Sequence, residues 1–281
     1  MESDIRYRLN LYEKAMPDEM DLVEKFLQAR RCGFDSVEIC IDAYEARQQR
    51  LFWSERQVME LAAQLSQHDI RVYTVSLSLL RSCPLGVLCE SENAKALYIL
   101  RRGVEFTSAV GARVMLINGY DVYDQPSTPQ TIRRFELNLK KTSLIAAANG
   151  VIIGVENAEM PFIDSVEKAA HWAARAGSPY ICVYADTGNT YNAVGGDTPL
   201  AIRDFECGMG RIAAVHLKDS LPGEWRYVGY GKGHVDFGAC VPKLLELGVR
   251  IFTAELFWQP GINWEKEAVH AGQFLRGLLD K

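Results

Sequence analysis

The chain has 281 residues, of which 48% are hydrophobic and 24% are charged, and its formal net charge is −5. These proportions are typical of a globular protein with enough apolar material for a large buried core. A mildly acidic balance without a basic stripe argues against a nucleic-acid-binding surface. No apolar run approaches the roughly 20 residues that cross a bilayer, so we expect neither nucleic acid nor membrane as a partner.

The cysteines indicate a reducing compartment. There are seven, none of them forms a C-x-x-C pair, and two, Cys40 and Cys182, lie inside apolar runs. A buried free thiol behaves as a small hydrophobic group, and an odd number of cysteines argues against a disulfide framework. The opening residues MESDIRYRLN lack the apolar stretch of a secretory signal. We therefore expect a cytoplasmic protein.

Eight short apolar runs recur at fairly even spacing and predict β-strands. Several are continuously apolar instead of alternating, which is typical of strands buried on both faces of a parallel sheet. They occupy residues 6–12, 36–42, 71–78, 113–119, 151–157, 180–186, 212–219 and 250–257.

Segments with helical periodicity separate these strands. The clearest are 20–31, 92–110, 130–148, 164–176 and 238–247, and a glycine often stands just before the next strand, at positions 33, 111, 150, 177 and 248. Alternating strands and helices predict a parallel α/β sheet. Eight units in a chain of this length favour a single closed (β/α)₈ barrel over residues 1–281, since such barrels typically need about 250 residues. The first strand is not followed by the glycine-rich phosphate loop of a dinucleotide-binding fold.

Charged groups stand where the last four strands end. Burying an unpaired carboxylate is costly, yet these strands close with Glu156, Asp186, His216 and Glu255. Their spacing of about one βα unit places them on neighbouring strands. In a (β/α)₈ barrel the carboxyl ends of the strands carry the active site. We therefore expect the four side chains to converge there.

Three carboxylates and one imidazole at one point predict a metal site. Like charges converge only if a cation neutralises them. Carboxylate oxygens with one imidazole suit Zn²⁺, Mn²⁺, Co²⁺ or Mg²⁺, and no cysteine is placed to enforce zinc. We expect one divalent metal ion with coordination positions left open for substrate oxygens.

Such a site suits proton transfer next to the carbonyl of a keto-sugar. A metal that holds vicinal oxygens acidifies the neighbouring carbon and stabilises the enediolate. Glu156 and Glu255 could act as acid and base on opposite faces of that carbon, which gives epimerisation. Transfer on a single face would instead give aldose–ketose isomerisation.

The four strand-end residues, together with HLKDS at 216–220 and GYGKGHVDF at 229–237, form a pattern. In this pattern the chain resembles the xylose-isomerase-like TIM-barrel superfamily. Within it, the chain is similar to the L-ribulose-5-phosphate (L-xylulose-5-phosphate) 3-epimerases. YEKA and GYDVY are the more specific of the shared stretches, which lie at 11–17, 33–42, 76–86, 118–125, 154–157, 186–189, 214–219 and 254–256.

The resemblance implies an isomerase that 3-epimerises a ketopentose 5-phosphate. Its metal ligands would be Glu156, Asp186, His216 and Glu255, with the two glutamates as the acid–base pair. Dimers are common among barrels of this type, so a homodimer is one expectation. The chain departs from the family pattern at two places. The family's His-Arg pair after the third strand is replaced here by Leu80-Arg81, and its Gly-Glu-Gly is replaced by Gly-Lys-Gly at 231–233.

Several polar residues near the strand ends are candidates for substrate binding. Lys14, Arg81 and Lys218 fall after strands and could hold a sugar phosphate, or be solvated loop cations. Lys218 shares the side of an extended strand with His216 and is the foremost of the three. Asn189 and Ser76 could bind sugar hydroxyls or cap helices.

Glu38, inside the second predicted strand, is expected to orient a metal ligand from behind. The alternative is a satisfied carboxylate at the barrel rim.

Three alternative functions are open at this point. One is a 3-epimerase of non-phosphorylated ketoses or a hydroxypyruvate isomerase. Another is a metal-dependent DNA-repair endonuclease, although the acid–His pair of that family is missing from GEWRYVGYG, 223–231. The third is a metal- or sugar-binding protein without catalytic activity, which the pair of glutamates argues against.

Overall fold

The computed structural model describes residues 7–281, and these form a closed barrel of eight parallel strands. The predicted (β/α)₈ fold is confirmed. Each strand pairs with the next, and β8 returns to β1, for example at Leu9 beside Phe252. The strands are β1 Arg8–Tyr12, β2 Ser36–Cys40, β3 Thr74–Ser76, β4 Val114–Asn118, β5 Ile152–Glu156, β6 Ile181–Asp186, β7 Ile212–Leu217 and β8 Ile251–Ala254.

Ten helices surround or cap this barrel in the described residues. The five predicted helices are present as α1, α4, α5, α6 and α9, within two residues of their predicted ends. The full set is α1 Leu22–Arg31, α2 Glu45–Gln48, α3 Glu55–Gln67, α4 Glu90–Ala109, α5 Pro129–Asn149, α6 Val166–Ala176, α7 Thr187–Ala193, α8 Thr198–Cys207, α9 Phe237–Glu246 and α10 Trp264–Leu279.

The strands are shorter than their apolar runs. The third covers only Thr74–Ser76 of the predicted 71–78, because the chain turns into a 3-10 helix at Ser78–Arg81. That turn carries Arg81 to the carboxyl end of the barrel. Glycines end two helices in the predicted manner, since Gly150 (φ 62°) and Gly177 (φ 66°) adopt the left-handed conformation after α5 and α6.

The main apolar core lies between the barrel wall and the surrounding helices. Inside the barrel, a smaller apolar layer includes Val114, Leu116 and Tyr184. The next layer is polar, because the Asn10 amide donates to the hydroxyls of Thr74 and Thr253. In the described part of the chain, no helix has both the length and the apolarity needed to cross a membrane.

Candidate active site

Four acidic or imidazole side chains converge at the carboxyl end of the barrel. Glu156 and Asp186 are the last residues of β5 and β6, His216 lies near the end of β7, and Glu255 follows β8 directly. One potential ligand atom from each lies within 4.8 Å of those of the other three, and all four residues are buried. The structure therefore brings together the residues that the strand-end pattern selected.

Glu38 fixes the orientation of the imidazole. Its Oε1 lies 2.7 Å from His216 Nε2, so Nδ1 is turned toward the cluster, 2.9 Å from Glu156 Oε1. The other oxygen of Glu38 accepts hydrogen bonds from the hydroxyls of Tyr184 and Thr253. A carboxylate behind a histidine ligand commonly sets its tautomer and direction.

The two carboxylate oxygens of Asp186 have different roles, one structural and one in the site. Its Oδ1 accepts a hydrogen bond from the backbone N–H of Asn189 at 2.7 Å and caps α7. Its Oδ2 faces the cluster, where Oδ2 and Glu255 Oε2 are both buried and share the ammonium of Lys218. One ammonium shared by two buried carboxylates neutralises them incompletely, which is costly, and a divalent cation would remove that cost.

The donor set also fits a metal ion, because three carboxylates and one imidazole are common ligands of divalent cations. The site could therefore hold a metal.

Lys218 is buried beside the cluster. Its Nζ donates a hydrogen bond to Asn189 Oδ1 at 2.9 Å and forms ion pairs with Asp186 Oδ2 at 2.8 Å and Glu255 Oε2 at 3.1 Å. Its side chain packs so closely on Gly188 that a Cβ there would lie 3.0 Å from Lys218 Cε. The ammonium is thus committed to three oxygens of the protein.

The electrostatics of the cluster are strongly coupled. Burial raises the pKa of Asp186, and the charges of Glu255 and Glu156 raise it further. Burial would also raise the pKa of Glu255, but attraction to Lys218 and His216 outweighs burial and lowers it. Burial would lower the pKa of His216, but the surrounding carboxylates, led by Glu38, raise it well above its usual value. The cluster as a whole therefore favours added positive charge.

A cavity of about 450 Å³ opens above the cluster. This is the size range of small-molecule sites. All five predicted substrate-binding residues line it: Lys14, Ser76, Arg81, Asn189 and Lys218.

The pocket's polar groups differ in how they are paired. The hydroxyl of Ser76 is buried without a partner. Lys14 Nζ lies 2.7 Å from Asp42 Oδ2 and 3.3 Å from Ser78 Oγ. Arg81 lies over the ring of Tyr123, 5.1 Å from its centroid. The pocket therefore offers both free hydrogen-bonding capacity and paired cations.

Sequence reasoning missed three acidic or amide residues of this site, Asp42, Asn118 and Glu159. Asn118, the last residue of β4, donates a hydrogen bond from its amide to Glu156 Oε2. Glu159 lies 3.7 Å from Arg81 and 3.8 Å from Arg226, and it links loops after β3, β5 and β7 across the pocket mouth. Asn118 could have been found as a polar residue at a strand end, whereas Glu159 had no comparable signal.

The loop between β7 and α9 supplies another part of the pocket wall, with Trp225, Arg226 and Tyr227. The Asp219 carboxylate anchors this loop, because it accepts hydrogen bonds from the backbone N–H groups of Gly231, Gly233 and Val235. A Cβ at Gly233 would lie 2.1 Å from Asp219 Oδ1. Glycine is therefore required at that position, which explains one part of the GYGKG pattern.

Comparisons with known proteins agree with this architecture. A family model described as the xylose isomerase-like TIM barrel matches residues 26–278. L-ribulose-5-phosphate 3-epimerase UlaE of Escherichia coli O157:H7 is 35% identical over 240 residues, covering 85% of this chain and 83% of that protein. The protein of the same name from Salmonella paratyphi A is 35% identical over 274 residues, covering 97% and 95%.

Solved structures share the fold at lower identity. A structure of L-ribulose 3-epimerase superposes with a TM-score of 0.80 at 19% identity, covering 98% of this chain and 95% of that one. D-psicose 3-epimerase, solved in the presence of D-fructose, has a TM-score of 0.80 at 14% identity, covering 98% and 100%. These similarities show the barrel and its topology.

Proposed function

This chain belongs to the xylose isomerase-like TIM-barrel family, and from that membership we propose that it is a metal-dependent 3-epimerase of a ketopentose 5-phosphate. L-ribulose 5-phosphate and L-xylulose 5-phosphate are the proposed substrate pair. The observation that carries the proposal is the pair of buried glutamates, Glu156 and Glu255, within one four-residue cluster. Curated relatives at 35% identity bear the name of this activity.

The proposed metal ligands are Glu156, Asp186, His216 and Glu255. A divalent ion bound by them, such as Zn²⁺, Mn²⁺, Co²⁺ or Mg²⁺, would polarise the substrate's C2 carbonyl and stabilise the negative charge that develops on it. Glu38 would keep the imidazole directed at the ion.

The two glutamates act as the acid–base pair. They come from β5 and β8, three strands apart around the barrel wall. One carboxylate removes the C3 proton, and the C3 electrons move toward the C2 carbonyl. The other glutamate, in its protonated form, then delivers a proton to the opposite face of C3. The configuration inverts with no change in composition, and proton exchange with solvent resets the pair.

The residues around them position the base and the sugar. Asn118 donates its amide hydrogen to Glu156 and so directs the other oxygen of that carboxylate toward the cluster. Ser76 and Asn189 are proposed to bind sugar hydroxyls, Ser76 because its buried hydroxyl has no protein partner. Lys14 and Arg81 are the proposed phosphate contacts.

The test of the acid–base pair is exchange of the C3 proton with solvent deuterium, followed by NMR. Glu156→Gln and Glu255→Gln should each lower this exchange by about 10² to 10⁴-fold. Glu265→Gln, at an exposed position in α10, is the matched control and should not change it. Retention of full exchange in both site variants would refute the two-glutamate mechanism. Chelation should abolish turnover, and added Mn²⁺ or Co²⁺ should restore it.

A second candidate, epimerisation of a free ketose, is favoured by the charge pairing of the pocket. Lys14 is paired with Asp42, and both Arg81 and Arg226 are near Glu159. These carboxylates reduce the positive potential that would attract a phosphate. Comparing kcat/KM for L-ribulose 5-phosphate and L-ribulose separates the two. A preference of about 100-fold or more for the phosphate ester, lost in Lys14→Met, would support the first candidate.

We extend the proposal to the whole chain, residues 1–281, as one catalytic domain. All seven cysteines are unpaired, which supports a reducing, cytoplasmic location. A homodimer stays a prediction, which sedimentation or size-exclusion with light scattering would test.

A further inference from the structure

Lys218 is the permanent cation inside the acidic cluster. Among residues 7–281, no other lysine or arginine nitrogen lies within 4.0 Å of a carboxylate oxygen of Glu38, Glu156, Asp186 or Glu255. Four carboxylates are thus set against one ammonium and one imidazole. Removal of that ammonium would leave the charge of the cluster far from neutral, which is severe in a buried site.

The ammonium approaches the same oxygens that face the other proposed ligands. Asp186 Oδ2 and Glu255 Oε2 lie 3.9 and 3.5 Å from His216 Nδ1, and these two atoms are the ion-pair partners of Lys218. Both oxygens are buried, and the ammonium lies 2.8 Å from the first and 3.1 Å from the second. The lysine therefore occupies the same oxygen atoms that a metal ion bound by Asp186 and Glu255 would use.

The lysine is held in this position by its surroundings. Two hydrogen bonds to Thr187 fix its backbone. The Lys218 N–H donates to Thr187 Oγ1 at 2.9 Å, and the Thr187 hydroxyl donates to the Lys218 carbonyl at 2.8 Å. Gly188 leaves just enough room for the side chain, and Asn189 accepts a hydrogen bond from the ammonium. An entire turn of α7 thus fixes one charged group.

We infer that Lys218 is an internal counter-cation that stabilises the metal-stripped protein and competes with a metal ion for Asp186 and Glu255. This inference rests on the proposed function, because it assumes the same metal centre. Its physical basis is that like charges a few ångströms apart in a buried site repel strongly. The fold of the chain would then not depend on the ion, and the ion would bind more weakly than its ligand set alone allows.

The test compares wild type with Lys218→Met after chelation and dialysis. Co²⁺ affinity is measured by calorimetry and by the visible absorption of bound Co²⁺, and thermal unfolding is recorded with and without Co²⁺. Lys218→Met should bind Co²⁺ about tenfold more tightly or better, and its stripped form should unfold at a lower temperature. With Co²⁺ bound, its unfolding temperature should return toward that of the wild type. Lys266→Met, exposed in α10, is the matched control and should show neither effect.

Equal or weaker Co²⁺ binding by Lys218→Met would overturn the inference and leave the proposed epimerase intact. Failure of the wild type to bind Co²⁺ would instead overturn the metal centre and the inference with it. If Lys218→Met folds only with Co²⁺, the inference is supported. If it fails to fold in both conditions, the double variant Lys218→Met/Glu255→Gln decides, because removing one carboxylate should restore folding of the stripped protein. Failure of that rescue would also overturn the inference.

Discussion

Glu13 is a buried acid whose loss should destabilise the protein by a predictable amount. It lies directly after β1, is 1% exposed, and its carboxylate accepts hydrogen bonds from both terminal nitrogens of Arg50. Lys25 Nζ lies 3.4 Å from it, and the backbone N–H of Cys40 donates to it at 2.8 Å. Glu13→Gln would leave two buried cations without a carboxylate. The same substitution should raise KM, because the next residue, Lys14, lines the pocket.

The size of the effect follows from the pKa of Glu13. Burial alone would raise that pKa, but attraction to Arg50, its hydrogen bonds and Lys25 outweigh burial and lower it from 4.5 to about 2. Lowering the pKa from 4.5 to about 2 corresponds to about 3 kcal/mol of folding stability at neutral pH. Removing one partner of a buried ion pair typically costs about 3–5 kcal/mol, so the two routes agree.

The sign of the pH dependence follows from the same shift. Because the pKa of Glu13 is lower in the folded protein, its contribution is complete above the unfolded value of 4.5 and is lost as the pH falls through about 2. The free-energy difference between wild type and Glu13→Gln should therefore be about 3 kcal/mol at pH 7 and about 2 kcal/mol at pH 3.5.

Urea unfolding followed by circular dichroism and tryptophan fluorescence provides the measurement, with coincident transitions as the check for two-state behaviour. Glu45→Gln, at an exposed position in α2, is the control and should change stability by less than about 0.5 kcal/mol. A loss below about 1 kcal/mol for Glu13→Gln at pH 7 would refute the reasoning. A difference that stays constant from pH 7 to pH 3.5 would refute the assigned pKa.

Three further predictions concern the active site. Asn118→Leu removes the hydrogen bond to Glu156 and should lower kcat by about 10–100-fold in steady-state assays, with unchanged turnover as the contrary result. Glu38→Gln weakens the partner of His216 and should reduce metal affinity by about 10–100-fold in a calorimetric titration, and equal affinity would exclude the orienting role. Gly233→Ala would place a Cβ 2.1 Å from a carboxylate oxygen. It should raise KM and increase proteolysis of the β7–α9 loop, whereas wild-type values of both would show that the loop does not need glycine there.

The functional strand ends could be predicted because charged residues directly follow apolar runs in the sequence. Glu156, Asp186 and Glu255 each follow apolar residues that belong in a core, so their positions indicate function before any coordinate is known. Asn118 ends β4 in the same way. Its neutral amide costs less to bury than a carboxylate, so its signal is weaker and it was missed.

The helices differ in how clearly the sequence predicts them. α3 carries a capping box of Ser54 and Gln57 and buries Val58, Leu61 and Leu65 at helical spacing, so the sequence itself contains the signal for this helix. α7 is different, because most of its residues are buried although its sequence, TGNTYNA, has no apolar stripe. A short helix of this kind lacks the amphipathic period on which prediction depends.

Contacts between distant loops could not be predicted. Glu13 and Arg50 are 37 residues apart, and their pairing depends on how the loops after β1 and β2 fold over the barrel rim. Arg226 and Glu159 likewise meet only because two loops reach across the pocket mouth. Side-chain chemistry predicts that such groups need partners, but the partner is chosen by the tertiary structure.

The end of β7 limits which insertions and deletions this enzyme can tolerate. Alternate residues serve two tasks there, since His216 and Lys218 face the acidic cluster while Asp219 anchors the covering loop through Gly231 and Gly233. Inserting or deleting one residue in this short stretch would reverse the direction of every following side chain, and both tasks would fail together. Within the β7–α9 loop, changes in length are therefore tolerated best at residues 221–229, between the anchor and its first glycine partner.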